Sequence, residues 1–223
     1  MSPRPIQIPR QPARAGFTLV EMLMVLTIII GLFAIAASGF KKSWQSQELR
    51  ASAIQLASDM SLASQSAIRL GRPVQVRFYR YQPVEVASQE PQFFAYQILV
   101  RDKIIGLAAP LYEMQRFQGT TVMTDKGAFS TIAYTKPTVA NMKLSGDMSQ
   151  LDPVLAIGEY EYLSIEFRPD GRTNLDPYPS EPWTITLVSI LDGERLADHS
   201  ADTPVDFQTL SIEPLTGAVR IWE

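Results

Sequence analysis

The pattern of apolar and polar positions changes character twice along the chain. Residues 17–40 read FTLVEMLMVLTIIIGLFAIAASGF, an apolar run whose one charge is Glu21. A helix of that length, rising about 1.5 Å per residue, reaches about 36 Å, enough for a hydrocarbon core of about 30 Å. From Glu48 onward Leu49, Ala53, Leu56, Met60, Ala63, Ala67 and Leu70 recur at spacings of three and four. Gln47, Arg50, Gln55, Ser58, Asp59, Ser61 and Ser66 fall between them. This stripe predicts that the same helix continues through 41–72 with one face laid on an apolar partner. Gly71-Arg72-Pro73 predicts its end, and Ser38-Gly39 a bend within it.

After Pro73 the period falls to two. Val74, Val76 and Phe78 alternate with Gln75, Arg77 and Tyr79, which predicts a half-buried strand. Further strands are expected at Phe93–Arg101, Leu111–Phe117, Thr120–Thr124, Tyr162–Arg168, Trp183–Leu191, Phe207–Ile212 and Ala218–Trp222. Pro169-Asp170-Gly171, Asp192-Gly193 and Pro214-Leu215-Thr216-Gly217 read as the turns between some of them. Residues 125–160 have weak periodicity and are expected to form a long loop or insertion. The fold class that follows is α+β: a long N-terminal helix packed on an antiparallel sheet, with 73–223 as a β-rich head.

Charge and composition alter this picture mainly at the start. Residues 1–16 carry Arg4, Arg10 and Arg14, prolines at 3, 5, 9 and 12, and no acid, while Lys41 and Lys42 close the apolar run on its other side. A secretory signal peptide has a shorter apolar region with its cleavage site after it, which is not the order seen here. A plain anchor suits the length and favours the N-terminus inside, but leaves Glu21 unexplained, since an acid within a spanning helix costs a few kcal/mol. The whole chain has 46% hydrophobic and 19% charged residues and a net charge of -3, which gives no overall electrostatic footprint for nucleic acid. It contains no cysteine and one histidine, so disulfides, thiolate chemistry and multi-histidine metal sites are excluded.

Ala15-Gly16-Phe17-Thr18-Leu19-Val20-Glu21 resembles the processing site of type IV prepilins and type II secretion pseudopilins. The resemblance implies a leader, 1–16, removed by a prepilin peptidase that cuts after Gly16 and methylates the new amine of Phe17. It further implies that Glu21 guides assembly by neutralising the N-terminus of an adjacent subunit while the 17–40 helices pack in a filament core. Burying one charge without the other would be strongly destabilising, which fits that role. Gly31, Ala34, Ala36, Ala37, Ser38 and Gly39 would allow such helices to approach closely, although small residues are also ordinary in spanning helices.

Ala53-Ile54-Gln55-Leu56-Ala57-Ser58-Asp59-Met60, Ser61 to Ile68, Gly71-Arg72-Pro73-Val74 and Ile165 to Gly171 are similar to the helix-to-strand passage and a late turn of GspH/FimT-type minor pseudopilins. Ile212 to Ile221 resembles prepilin-like proteins of the Verrucomicrobia cassette type. These resemblances imply a non-enzymatic minor subunit of a type II secretion pseudopilus or type IV pilus. Its implied partners are the peptidase, other pilins or pseudopilins, membrane lipid, an inner-membrane platform and its ATPase. Its implied place is the inner membrane, single-pass with the head periplasmic, and afterwards a filament.

Two rival readings have their own residues. Arg77, Arg80, Arg101, Lys103 and Arg116 are interleaved with Phe78, Tyr79, Tyr81, Phe93, Phe94 and Tyr96, a mixture able to hold single-stranded nucleic acid, and some FimT-like proteins take up DNA. Glu85, Glu90, Asp102 and Glu113 among them favour a solvated sheet face instead. A membrane-anchored periplasmic enzyme is the other rival, but no catalytic residues stand out, and His199 in Ala197-Asp198-His199-Ser200 reads as a solvated loop residue. Asp170, Asn174 and Asp176 put three oxygen side chains on one turn that a hard cation could use, though Asp-Gly turns are common without one. Asp147, Asp152, Glu159 and Glu161 form a similarly weak acidic group, and no cofactor is expected.

Overall fold

The computed structural model describes residues 18–81, 91–101, 108–134, 138–141, 159–197 and 202–222, with the side chains of 34–42, 138–141, 159–160 and 197 outside the description. Its elements in chain order are α1 (Leu19–Leu70), β1 (Val74–Tyr81), β2 (Gln92–Arg101), β3 (Ala108–Pro110), β4 (Gln115–Arg116) and β5 (Thr121–Met123). A 3-10 turn at Thr131–Tyr134 follows, then β6 (Thr138–Asn141), β7 (Glu159–Phe167), β8 (Trp183–Ser189), α2 (Ile190–Ala197), β9 (Phe207–Ile212) and β10 (Val219–Trp222). The class is α+β with an antiparallel sheet. Contacts divide the chain into two units, Met1–Lys42 and Ser43–Glu223, and α1 contributes residues to both.

In the first unit the side chains of Leu19–Phe33 are exposed. Among the described residues no helix is long and apolar enough to cross a membrane. The expected 17–40 span also depends on Phe17 and on the side chains of 34–40, which lie outside the described residues, as do the 1–16 leader and the side chains at the expected Ser38-Gly39 bend.

In the second unit α1 buries the face that its spacing predicts as far as Ala67; Leu70, expected in the same stripe, is exposed, and Ser66, expected on the polar side, is buried. Leu49, Ala53, Leu56, Met60, Ala63 and Ala67 share one core with Val76 and Phe78 of β1, Ile98 of β2, Ile165 of β7, Leu187 of β8 and Leu210 of β9. Ala53, Ala63 and Ala67 flank Leu56 and Met60 along this stripe, letting the helix sit close to the strands while the larger side chains fill the space between. Burying Leu56 and Met60 completely contributes roughly 1.5–3 kcal/mol each. The helix ends as expected at Gly71, whose φ of 59° is open to glycine at little cost. The Arg72 N–H donates to the Ala67 carbonyl and the Gly71 N–H to that of Ile68, both at 3.3 Å, which satisfies two of the last free carbonyls.

The sheet runs β10-β9-β8-β5-β2-β1-β7-β6, with β3 and β4 also paired to β2. All its pairings are antiparallel. The strands expected at Val74, Phe93, Thr120, Tyr162, Phe207 and Ala218 are present, with small shifts at their ends. A register shift between Tyr79 and Arg80 lets β1 continue past the expected end to Tyr81. Turns form at Gly171 and Gly217, with φ of 85° and 64°.

Three expectations fail. Leu111–Phe117 is not one strand: the N–H groups of Leu111 and Tyr112 both turn onto the Ile98 carbonyl, and pairing resumes only at β4. Leu111 and Phe117, at the two ends of that stretch, both pack on the main core although no strand joins them. The expected 125–160 loop or insertion is not among them: its described part holds the 3-10 turn and β6, which pairs with β7, and residues 135–137 and 142–158 lie outside the description. The Asp192-Gly193 pair is not a turn, and the strand expected to reach Leu191 stops at Ser189, where α2 begins. Ser189 caps α2: its Oγ accepts the Asp192 N–H at 3.2 Å and its hydroxyl donates to Asp192 Oδ2 at 3.2 Å. A Cβ at Gly193 would lie 2.5 Å from Gln92 Oε1, so a larger residue there would make the Gln92 side chain shift.

The chain also replaces a missing strand with hydroxyls. β5 pairs with β8 over three residues, Thr121–Met123, leaving the backbone of Thr184 and Thr186 to be satisfied otherwise. Ser130 Oγ accepts the Thr186 N–H at 2.9 Å and Thr131 Oγ1 accepts that of Thr184 at 2.7 Å. Thr186 donates its own hydroxyl to the Phe129 carbonyl at 2.6 Å. Serine and threonine side chains thus take the part that an unpaired ladder would leave open.

Candidate functional site

Glu21 is in the first turn of α1, and its carboxylate is tied to the residue just ahead of the helix. The Thr18 N–H and the Thr18 hydroxyl both donate to Glu21 Oε2, each at 2.9 Å. In return Thr18 Oγ1 accepts the Glu21 N–H at 3.2 Å. The pair forms a capping box, satisfying two of the N–H groups that a helix leaves without internal partners. Gly16 and Phe17 lie outside the described residues. Thr18 is a site residue that the sequence reading did not single out. Its signal is the Thr-x-x-Glu spacing, which marks a helix start irrespective of membrane or filament.

The arginines proposed for nucleic acid do not form one uncommitted cationic surface. Arg80 faces Glu161 at 3.1 Å and Asp125 at 3.4 Å, and its Nε donates to the Pro91 carbonyl at 3.1 Å. Arg101 meets Glu166 at 3.0 Å. The Arg77 guanidinium rests 4.6 Å from the centre of the Tyr162 ring, and its Nε donates to Gln75 at 2.8 Å. Partly exposed pairs of this kind contribute little stability each, but they do neutralise the positive field that a phosphate backbone would need. Of the interleaved aromatics, Phe78, Tyr79, Phe93 and Tyr96 are buried, so they offer no stacking platform. Lys103, Glu85, Glu90 and Asp102 lie outside the described residues.

The acidic turn spends its oxygens separately. Asp170 Oδ1 accepts the Arg172 N–H at 3.1 Å, Asn174 Oδ1 that of Glu166 at 2.8 Å, and Asp176 Oδ1 that of Tyr178 at 3.0 Å. Each side chain stabilises its own piece of loop backbone. Among the described residues no group of three His, Cys, Asp or Glu side chains is placed to hold a metal ion. Asp147, Asp152 and His199 lie outside the described residues, and Glu161 is the partner of Arg80.

Two further features were not foreseen. Asp59 on α1 accepts the Tyr96 hydroxyl at 2.6 Å and the Gln55 amide at 3.0 Å, linking the helix to β2 at the margin of the core. Burial first, then this hydrogen bond and the negative charge of Asp59, push the Tyr96 hydroxyl pKa well above the usual tyrosine range. A groove of about 690 Å³ also opens beside β10, with Pro179, Pro182, Trp183 and Trp222 among its walls and Glu213 and Arg220 as its charged members. Trp222 is fixed there by donating its indole N–H to Ser211 Oγ at 2.8 Å. One acid and one guanidinium, with no neighbouring nucleophile and base, make a contact surface and not a recognisable reaction centre. Comparison with protein-family models, curated proteins and solved structures gave no match to this chain.

Proposed function

We propose that this protein is a type IV pilin-like subunit, of the minor pseudopilin kind, that enters a filament after removal of residues 1–16. The observation that carries the reading is the coincidence of motif and element at α1. The helix begins just past the Gly16-Phe17 junction, has Glu21 in its first turn, and buries Leu49 to Ala67 against an antiparallel sheet. In this reading residues 17–40 hold the precursor in the inner membrane and later pack in the filament, while the β-rich head faces the periplasm. The role is structural, and the membrane platform, ATPase and peptidase are separate proteins.

The capping box gives the assembly role a physical form. In the isolated chain Glu21 is satisfied by Thr18; in a filament the same carboxylate turns to the amine of a neighbouring Phe17. The exchange replaces hydrogen bonds within one helix by a charge pair between two, which is strong where lipid or packed helices exclude water. A subunit without that acid keeps its fold and loses the register that the pair imposes.

Processing is tested directly by producing the full precursor with a prepilin peptidase and determining the N-terminus by mass spectrometry. The expected product starts at Phe17 and carries one methyl group on its amine. An intact precursor, or a product starting elsewhere, removes the pilin reading.

A further inference from the structure

We propose that the end of the head at which α1 enters it is a lipid-contacting rim, made by Trp44, Leu191, Val205 and Phe207. This inference rests on the membrane-anchored reading above and adds to it which face of the head meets the bilayer surface. The four side chains are large, apolar and 66%, 60%, 67% and 48% exposed. They come from α1, α2 and the segment opening β9, three places far apart in the chain.

Hydrogen bonds gather these segments at one end. Trp44 donates its indole N–H to Glu48 Oε1 at 2.6 Å, and Glu48 Oε2 accepts the Thr120 N–H at 3.3 Å. The Thr120 carbonyl in turn accepts the Ile190 N–H at 2.7 Å, fixing the start of α2 and thus Leu191. On the other side Ser46 hydrogen-bonds Asp206, which sits between Val205 and Phe207. The opposite end of the second unit is defined by the β9–β10 turn, where Gly217 approaches Ser64 of α1. Large hydrophobes gathered on segments tied together, and not scattered singly, mark an interaction surface.

Connectivity selects the occupant. Ser43 follows Lys41 and Lys42, which follow the apolar 17–40 segment, so anchoring that segment brings the bilayer interface within a few residues of Trp44. Tryptophan favours that interface, where its ring is apolar and its N–H polar. Glu48 and Asp206, the acids hydrogen-bonded within the rim, give the rim itself no attraction for anionic lipid. Contact is made by shallow insertion of the apolar side chains into the headgroup boundary, and it is therefore insensitive to salt.

The chain has no cysteine, so single cysteines report one position each. Full-length Leu26→Cys, Leu191→Cys, Val205→Cys, Phe207→Cys and Leu215→Cys are labelled with a fluorophore and reconstituted in phosphatidylcholine–phosphatidylglycerol vesicles. Lipids bearing nitroxides near the headgroup or deep in the acyl chain quench the label according to depth. Positions 191, 205 and 207 are expected to show several-fold stronger quenching by shallow nitroxides than position 215, unchanged by salt, with position 26 quenched by deep ones. If position 26 is quenched but the rim behaves like 215, the rim is refuted and the anchor stands. If position 26 is not quenched, the anchor reading fails and the rim with it. Efficient disulfide formation between Val205→Cys copies without lipid quenching assigns the face to a second subunit and overturns the proposal.

Discussion

Thr18 and Glu21 engage each other through three hydrogen bonds, so hydrogen bonding and charge at position 21 can be separated by substitution. Glutamine supports a capping box as glutamate does, but cannot neutralise a cationic amine. Glu21→Gln should therefore keep the helix start and peptidase cleavage while losing filament incorporation as fully as Glu21→Ala, scored by sheared-filament fractionation. Wild-type incorporation of Glu21→Gln would reduce the role of this residue to capping. Tyr96 supports a different measurement. Its hydroxyl pKa is raised in the folded chain above the unfolded value of about 10. Its contribution to stability is complete below pH about 10 and is lost as pH rises toward the folded value, because the unfolded chain then releases a proton that the folded chain retains. Tyr96→Phe is expected to be less stable than wild type at neutral pH, with a smaller further loss between pH 7 and 11, read as urea midpoints. Equal alkaline losses in the two proteins would dismiss the titration of Tyr96 as the cause.

Among the elements, α1 divides most clearly between what it hides and what it shows. Met60 is fully buried in the core shared with the sheet, whereas Ile54, on the same helix, is 54% exposed. Met60→Ala should cost about 2–5 kcal/mol and Ile54→Ala well under 1 kcal/mol, measured by equilibrium unfolding. Similar losses at both positions would mean that the exposed side of α1 is covered in solution. This element was legible because a period of 3.6 over more than five turns is hard to produce by chance, and because Gly71-Arg72-Pro73 supplies a local stop. α2 was illegible for a corresponding reason. It is short, and Asp192-Gly193 has the composition of a turn. What starts the helix there is Ser189 capping Asp192, a role that the turn-like composition of the pair conceals.

The molecule as a whole has its own core in the second unit, Ser43–Glu223, built from α1 together with β1, β2 and β7 to β9. A fragment beginning at Ser43 should therefore fold cooperatively, with a single transition monitored by both near- and far-ultraviolet circular dichroism. Non-coincident transitions would show that residues before Ser43 are required for the core. No match to known proteins guides the functional reading, which stands on the Gly16–Glu21 motif and on the way α1 meets the sheet.

Sequence alone determined the apolar 17–40 segment, the α1 stripe and its stop, most of the strands and the turns at Gly171 and Gly217. All of these follow from short-range chemistry: periodicity, glycine at positive φ, and alternation. It also marked Glu21 as the anomalous charge. Tertiary structure alone decided the order of the strands, the break after Pro110, the hydroxyls of Ser130 and Thr131 serving β8, and the helix at α2. It also decided the fate of the charges. Arg80 and Arg101 carry the same residue type that a nucleic-acid site would use, and only the tertiary arrangement puts Glu161 and Glu166 of β7 and Asp125 of the loop after β5 within reach. Periodicity reports which side of an element is buried; it carries no information about which distant residue will lie across from it.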